Sequence, residues 1–239
     1  MKTEGRNAVL ELLKTDKTIE KILIEKNPQG TLSRIFAEAR ERGVRVQFVD
    51  RRTLDKDSVT GKHQGCIAYS TDYKYSSLQD IIDCKGESGG FIILCDCIED
   101  VHNLGSIIRV AECAGADGVV IQSTNSASVT EAVVRISAGA ANHVKVAKVN
   151  SLNRAVDELK KQGYWLYALE ADGEDIYSAD LTGNIALVIG GEDSGVKKLT
   201  REKCDFVVSL PMQGKVNSLN ASVALGIAAY EALRKRREK

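Results

Sequence analysis

From Gly90 onward the chain alternates short apolar runs with helical patterns, and that alternation constrains the fold more than any other feature. The order is FIILCD, a helix over Leu104 to Cys113, GVVIQ, a helix around Val129 to Ser137, VKVAKV, a helix over Leu152 to Lys161, YWLYALE, IALVIG, a short helix near Lys197, FVVSL and a long final helix. Strands and helices taking turns predict an α/β domain with a parallel sheet and helices on both faces. In the last helix Leu219, Val223, Ile227, Tyr230 and Leu233 recur every three or four residues, while Ala221, Ala224, Ala228 and Ala229 are small enough for close helix approach. Packing on two sides is expected. Arg234 to Arg237 follow this stripe, where they would stabilise the negative end of the helix dipole.

Residues 1–75 carry their own alternation: an amphipathic start (Val9, Leu10, Leu12, Leu13), IEKILIE, LSRIFAEARERG, VRVQFV, a charged helical stretch from Arg51, and CIAYS. They read as a small separate α/β domain, with 76–88 as a linker of one or two helical turns and 89–239 as the larger domain. At 239 residues and 43% hydrophobic, the chain is long enough for two cores. The overall charge is balanced at 33 basic and 33 acidic residues. The balance hides an asymmetry: 15 basic against 11 acidic residues in 1–75, and 18 against 22 in the remainder. Affinity for a polyanion therefore belongs to the first domain, with Arg6, Arg51 and Arg52 as leading contacts.

No apolar run approaches the roughly 18 residues needed to cross a bilayer, and MKTEGRNAVLELLK lacks an apolar signal core. A cytoplasmic protein without membrane contact is expected. The six cysteines show no CxxC pairing, and the three histidines make no zinc pattern. Buried thiols are expected, with Cys95 and Cys97 on one strand face, and no metal site.

Neither GxGxxG nor GxxxxGK[ST] occurs, so the usual phosphate-cradling turns are absent. Instead, three polar, Gly-containing segments each begin where an apolar strand ends: DVHNLGSIIR, GGEDSG and PMQGKVNSLNAS. Ligands of open α/β sheets bind beyond the carboxyl ends of strands, so the three could share one pocket. At 100° per residue Arg109 falls off the stripe of Leu104, Ile107, Ile108 and Ala111, leaving its guanidinium exposed for a phosphate or ribose. The second loop offers backbone N–H groups of Gly190, Gly191 and Gly195 and the carboxylate of Glu192. The third places Ser218 and Asn220 at the start of the last helix, where N-capping is the simplest role.

The joint order of Asp100-x-His102-Asn103-x-Gly105-(x3)-Arg109, VIGGEDSG (Val188 to Gly195) and LPM-(x5)-SLN-x-SVA (Leu210 to Ala224) resembles the three motifs of the SpoU family of RNA ribose 2'-O-methyltransferases. GRNAV at Gly5 to Val9 and HQG at His63 to Gly65 resemble that family's L30e-like substrate-binding domain. The likeness is to members that methylate a guanosine of 23S ribosomal RNA, although those usually carry Pro where this chain has Val101 and Lys145.

The resemblance implies a SPOUT-type catalytic domain with a deep trefoil knot, homodimers with the active site near the interface, and S-adenosylmethionine held mainly by main-chain groups. Here these match Gly190, Leu210 and Leu219, with Gly191 and Met212 adjacent. The implied partner is large-subunit ribosomal RNA or a pre-ribosomal particle. Asn103, Arg109, Glu192, Ser218 and Asn220 become the catalytic set. A guanidinium pKa above about 12 disfavours Arg109 as a base and favours it as a donor orienting the 2'-OH and gripping the neighbouring phosphate. A tRNA 2'-O-methyltransferase and a non-catalytic ribosome-assembly protein on the same fold are the alternatives.

Overall fold

The computed structural model describes residues 1–191, 195–215 and 218–238. They form two compact units, Met1–Lys74 and Tyr75–Lys239.

The first unit contains β1 (Lys2–Glu4), α1 (Arg6–Leu12), β2 (Thr18–Glu25), α2 (Thr31–Glu41), β3 (Val46–Val49), α3 (Arg51–Asp57) and β4 (Cys66–Thr71). Its sheet has the order β1-β4-β2-β3, with β2 and β3 parallel and the other pairs antiparallel. Strand alternation sends Ile22 and Ile24 to one face, against Val9, Ile35 and Ala39 of α1 and α2. Leu23 goes to the other, against Leu54 of α3 and Ile67. Both faces are therefore covered, which is why Ile22, Leu23 and Ile24 form an unbroken apolar run. GRN and HQG, distant in sequence, interlock: the Arg6 backbone N–H donates to Gln64 Oε1 (3.1 Å) and Arg6 Nε to the Gln64 carbonyl (2.9 Å). His63 is buried beneath them, its Nδ1 accepting from the Gly65 N–H at 3.0 Å and its Nε2 2.9 Å from Asp55.

The second unit is built on β5 (Phe91–Asp96), β6 (Gly118–Gln122), β7 (Lys145–Val149), β8 (Trp165–Asp175), β9 (Ile185–Gly190) and β10 (Phe206–Ser209). All pairs are parallel, in the order β10-β8-β9-β5-β6-β7. Every residue of the central strands β5 and β9 is buried, as strands covered on both faces require. Helix α4 (Leu78–Ile82) precedes the strands of this unit, α5 (Val101–Cys113), α6 (Glu131–Ile136), α7 (Leu152–Lys161) and α8 (Lys198–Lys203) run between them, and α9 (Ala221–Arg237) closes the chain.

Three expectations need correction. The segment expected to be a linker holds α4, started by a Ser77–Asp80 capping box, and Leu78, Ile81 and Ile82 belong to the core of the second unit. In α9 the small-residue face is the buried one: Leu225, Ala228, Ala229 and Ala232 are fully buried, while Val223, Ile227 and Tyr230 remain 50%, 37% and 52% exposed. Cys97 does not share the buried strand position of Cys95, because the chain turns there with a φ of 59°, and Cys84 and Cys113 are exposed. The basic end of α9 also does more than neutralise a dipole. Lys235 donates to the carbonyls of Tyr177 and Ala179, and Arg236 to those of Gly183 and Gly89, tying the helix to the amino-terminal side of the sheet.

Candidate functional site

The carboxyl ends of β5, β8, β9 and β10 lie together, and the loops leaving them are fastened by a few specific bonds. Asp96, completely buried at the end of β5, accepts from the Lys197 N–H (2.9 Å) and from Gln122 Nε2 (3.1 Å), and its carbonyl accepts from the Gly191 N–H (3.1 Å). One buried carboxylate thus joins the first loop to the return of the second. Next to it, burial raises the Cys97 thiol above its ordinary value, only partly offset by Lys197, so a neutral thiol rather than a nucleophile faces the loop. Asp100 caps α5 by accepting from the N–H groups of His102 and Asn103.

The second loop folds back on itself. Gly195 (φ 59°) donates its N–H to the Gly191 carbonyl at 2.9 Å. A Cβ on Gly190 would lie 1.9 Å from the Gly195 carbonyl carbon and 2.2 Å from Val196 N, so no side chain fits there. This changes the role expected for these glycines. The N–H groups of Gly191 and Gly195 are spent inside the protein, and what the described glycines of the loop can offer a ligand is side-chain-free surface and carbonyl acceptors. Glu192 lies outside the described residues.

The third segment brings Ser218, Leu219 and Asn220 to the start of α9. Asn220 Oδ1 caps the helix, accepting from the N–H groups of Ser222 and Val223. That fixes which end of the amide points away, and Asn220 Nδ2 donates to Asn103 Oδ1 at 2.9 Å. Two residues 117 positions apart therefore hold the first and third loops together.

These loops enclose a cavity of about 440 Å³ whose walls include Ile189, Gly190, Gly191, Leu210, Met212, Ser218, Leu219 and Asn220. All five residues expected to contact cofactor lie on its wall, together with Ser218 and Asn220, and Asn103 adjoins it through Asn220. Arg109 is not among the described lining residues. It is exposed on the outer ridge of α5, six residues and about 9 Å of helix rise from Asn103, with no hydrogen-bond or ion-pair partner among the described residues. The wall also contains an acid that sequence reasoning passed over, Glu170, read only as the end of an apolar strand. A carboxylate leaving the end of a sheet strand was the available signal. Asp96, which ends FIILCD, was missed in the same way. Among the described residues no cluster able to hold a metal ion comes together, and no helix is long and apolar enough to cross a membrane. Within the first unit, Arg6 is engaged through Nε as described, Arg51 lies 3.7 Å from Glu25, and Arg52 is exposed with no partner among the described residues.

The SpoU rRNA methylase family matches residues 90–230 of this chain, and a domain described as RNA 2'-O ribose methyltransferase substrate binding matches residues 3–76. The chain belongs to the SpoU methyltransferase family. Among SpoU relatives it is 43% identical over 237 residues to YacO of Bacillus subtilis, described as a TrmH family tRNA/rRNA methyltransferase, covering 97% of this chain and 94% of that protein. A relative of the same description from Staphylococcus haemolyticus is 39% identical over 240 residues, covering 98% and 95%. The crystal structure of the SpoU methyltransferase AviRb from Streptomyces viridochromogenes, solved with AdoMet, matches with a TM-score of 0.65 at 22% identity, over 100% of this chain and 91% of that one. The TrmH/SpoU tRNA modifying enzyme of A. aeolicus matches with a TM-score of 0.59 at 27% identity, over 67% and 81%.

Proposed function

We propose that this SpoU protein methylates a ribose 2'-hydroxyl in RNA from S-adenosylmethionine, and that its target is a guanosine of 23S ribosomal RNA. The observation that carries this reading is the joining of the glycine-lined cavity to the Asn103–Asn220 pair, which sets a polar, geometrically fixed pair beside an apolar pocket of nucleoside size. Leu210, Leu219 and Ile189 suit a purine, and carbonyl acceptors suit its amino group. Bound S-adenosylmethionine would supply an electrophilic methyl group and leave as S-adenosylhomocysteine, with the 2'-hydroxyl proton passing to water or phosphate. Asn103 and Asn220 would position the ribose, with Ser218 beside them on the cavity wall. The matched substrate-binding domain supports a ribosomal target, because the tRNA-modifying relative from A. aeolicus aligns with only 67% of this chain. The deep knot belongs to the same reading. Its support is the match of the SpoU rRNA methylase family to residues 90–230.

A homodimer completes the reading. Val223, Ile227 and Tyr230 leave an exposed apolar stripe on α9, which packs beside α5, and the outer ridge of α5 carries Arg109. A second copy covering that surface would bury the stripe and bring Arg109 toward the neighbouring cavity, where its planar fork orients the 2'-OH and grips the adjoining phosphate. The test is incubation with methyl-labelled S-adenosylmethionine, undermethylated 23S ribosomal RNA and tRNA, with excess chelator. Label is expected on a ribose of the ribosomal RNA. Label on a base atom overturns the chemistry, and label on tRNA alone overturns the target.

A further inference from the structure

β8 and β10 run in register from Phe206↔Tyr167 to Val207↔Ala168, and pairing then resumes at Val208↔Glu174, so residues 169–173 leave the ladder as a wide bulge. Its return is fixed. A Cβ on Gly173 would lie 2.6 Å from the Val208 backbone, and Ser209 Oγ donates to the Gly173 carbonyl at 2.8 Å. The bulge turns Leu169, Glu170 and Ala171 into the cavity wall, and among the described lining residues Glu170 is the only charged one. Its Oε1 accepts from the Val196 N–H, and both oxygens sit where a Gly195 side chain would be, 2.7 and 2.9 Å from the Cβ position. The nearby Arg201 is taken by Asp172 at 2.9 Å. A pinned, half-buried carboxylate that accepts one hydrogen bond from the described residues and has room for several more can take donors from a ligand.

We propose that Glu170 recognises the ribose of the cofactor, accepting hydrogen bonds from its 2'- and 3'-hydroxyl groups; this rests on the cavity being the S-adenosylmethionine site. Three groups of that cofactor could donate to a carboxylate. The amino-acid end would bring an ammonium to Glu170 but also its own carboxylate close by, for which the described lining provides no cation. The purine amino group offers a single edge and is served by backbone carbonyls among apolar walls. The vicinal diol is neutral and presents two donors side by side, matching the two oxygens of a carboxylate. Gly195 fits the same assignment, since any side chain there would fill the space Glu170 occupies.

Glu170→Gln keeps an oxygen for the Val196 N–H and replaces the other acceptor with a donor. Calorimetry on the full chain compares S-adenosylhomocysteine, 5'-methylthioadenosine (which lacks the amino-acid end), adenosine and 2',3'-dideoxyadenosine. The variant should bind the first three about ten- to a hundredfold more weakly than wild type, the scale of a hydrogen bond to a charged group. Binding of the dideoxy ligand should match wild type, which also shows that the cavity is intact. Unchanged 5'-methylthioadenosine affinity beside weakened S-adenosylhomocysteine would move Glu170 to the amino-acid end and overturn the proposal. An equal loss for adenosine and its dideoxy form would make Glu170 a purely structural tie and overturn it too. A wild-type protein that binds none of the four overturns the cofactor reading itself, and this one with it.

Discussion

Gly190→Ala is the sharpest single perturbation of the cavity. The new methyl would fall 1.9 Å from the Gly195 carbonyl carbon, 2.1 Å from its oxygen and 2.2 Å from Val196 N. Carbon contacts settle near 3.5–4.0 Å, so one partner must move by about 1.5 Å. Gly190 is held in the β5–β9 ladder opposite Asp96, which leaves the return strand to yield. That strand is fastened by the bonds from Val196 to Glu170 and from Lys197 to Asp96. Overpacking costs about 1–3 kcal/mol and loosening a hydrogen bond to a charged group about 1.5–3 kcal/mol, part of which water returns, so a net loss of about 2–4 kcal/mol is expected. At about 2–4 °C per kcal/mol for a domain of this size, the melting midpoint of the second unit should fall by roughly 5–15 °C. S-adenosylhomocysteine affinity should fall at least about tenfold, because the displaced strand carries the cavity wall. Gly226→Ala is the matched control: its Cβ meets only Val110 Cγ2, at 3.8 Å, so it should stabilise α9 by about 0.5–1 kcal/mol. Scanning calorimetry with ligand titration reads all of this. A Gly190→Ala protein with wild-type melting and affinity would refute the reading of a loop that excludes any side chain.

Arg109→Ala should abolish methyl transfer while leaving S-adenosylhomocysteine affinity unchanged, and Arg109→Lys should restore little. If Arg109 serves the neighbouring copy, mixing Arg109→Ala with Gly190→Ala protomers should regain about a quarter of wild-type activity, since half of the dimers carry one intact site; a mixture as inactive as its components would place Arg109 in its own site. Tyr230→Asp puts a charge in the exposed stripe of α9, and sedimentation should then report a monomer; an unchanged dimer would move the interface elsewhere. Arg52→Ala should weaken RNA binding about uniformly across sequences and lower the salt slope by about one unit, and an unchanged slope would remove Arg52 from the phosphate contacts. Glu4 accepts hydrogen bonds from Thr60, Val59 and Ser58, with the Thr60 hydroxyl the largest influence, and these hold its carboxyl at about 2. Because the folded value is depressed, its contribution is present above the ordinary value of 4.5 and lost as pH falls toward about 2. Glu4→Gln should therefore flatten the acid side of the stability profile, and equal slopes for both proteins would refute the assignment.

The strands of the second unit were legible because burial on both faces leaves an uninterrupted apolar run, a purely local signal. The exposure of Arg109 was legible for a similar reason, since 100° per residue places it opposite Ile107, Ile108 and Ala111 without reference to any other element. Where two elements decide together, the sequence was ambiguous. Helix α9 carries one face of Leu225, Ala228, Ala229 and Ala232 and another of Val223, Ile227 and Tyr230, and periodicity cannot say which meets the sheet; close packing beside α5 selects the small residues and leaves the larger ones outside. The turn of α4 was legible, but its Ser and Gly flanks read as a linker and concealed that Leu78, Ile81 and Ile82 enter the core of the second unit. The neighbours of Glu170 show only a carboxylate after an apolar strand, because what turns it into the cavity is the register jump against β10, nearly forty residues further along. The glycines of the second loop were visible, but their use was not: a sequence shows that Gly190 has no side chain, and only the return of Gly195 against it shows that the space is already full. The same logic explains why three motifs had to be recognised jointly. Asn103 and Asn220 are each ordinary residues at a helix start, and they become one positioning element only because Asn220 spends its oxygen on capping α9 and has its amide nitrogen left for Asn103.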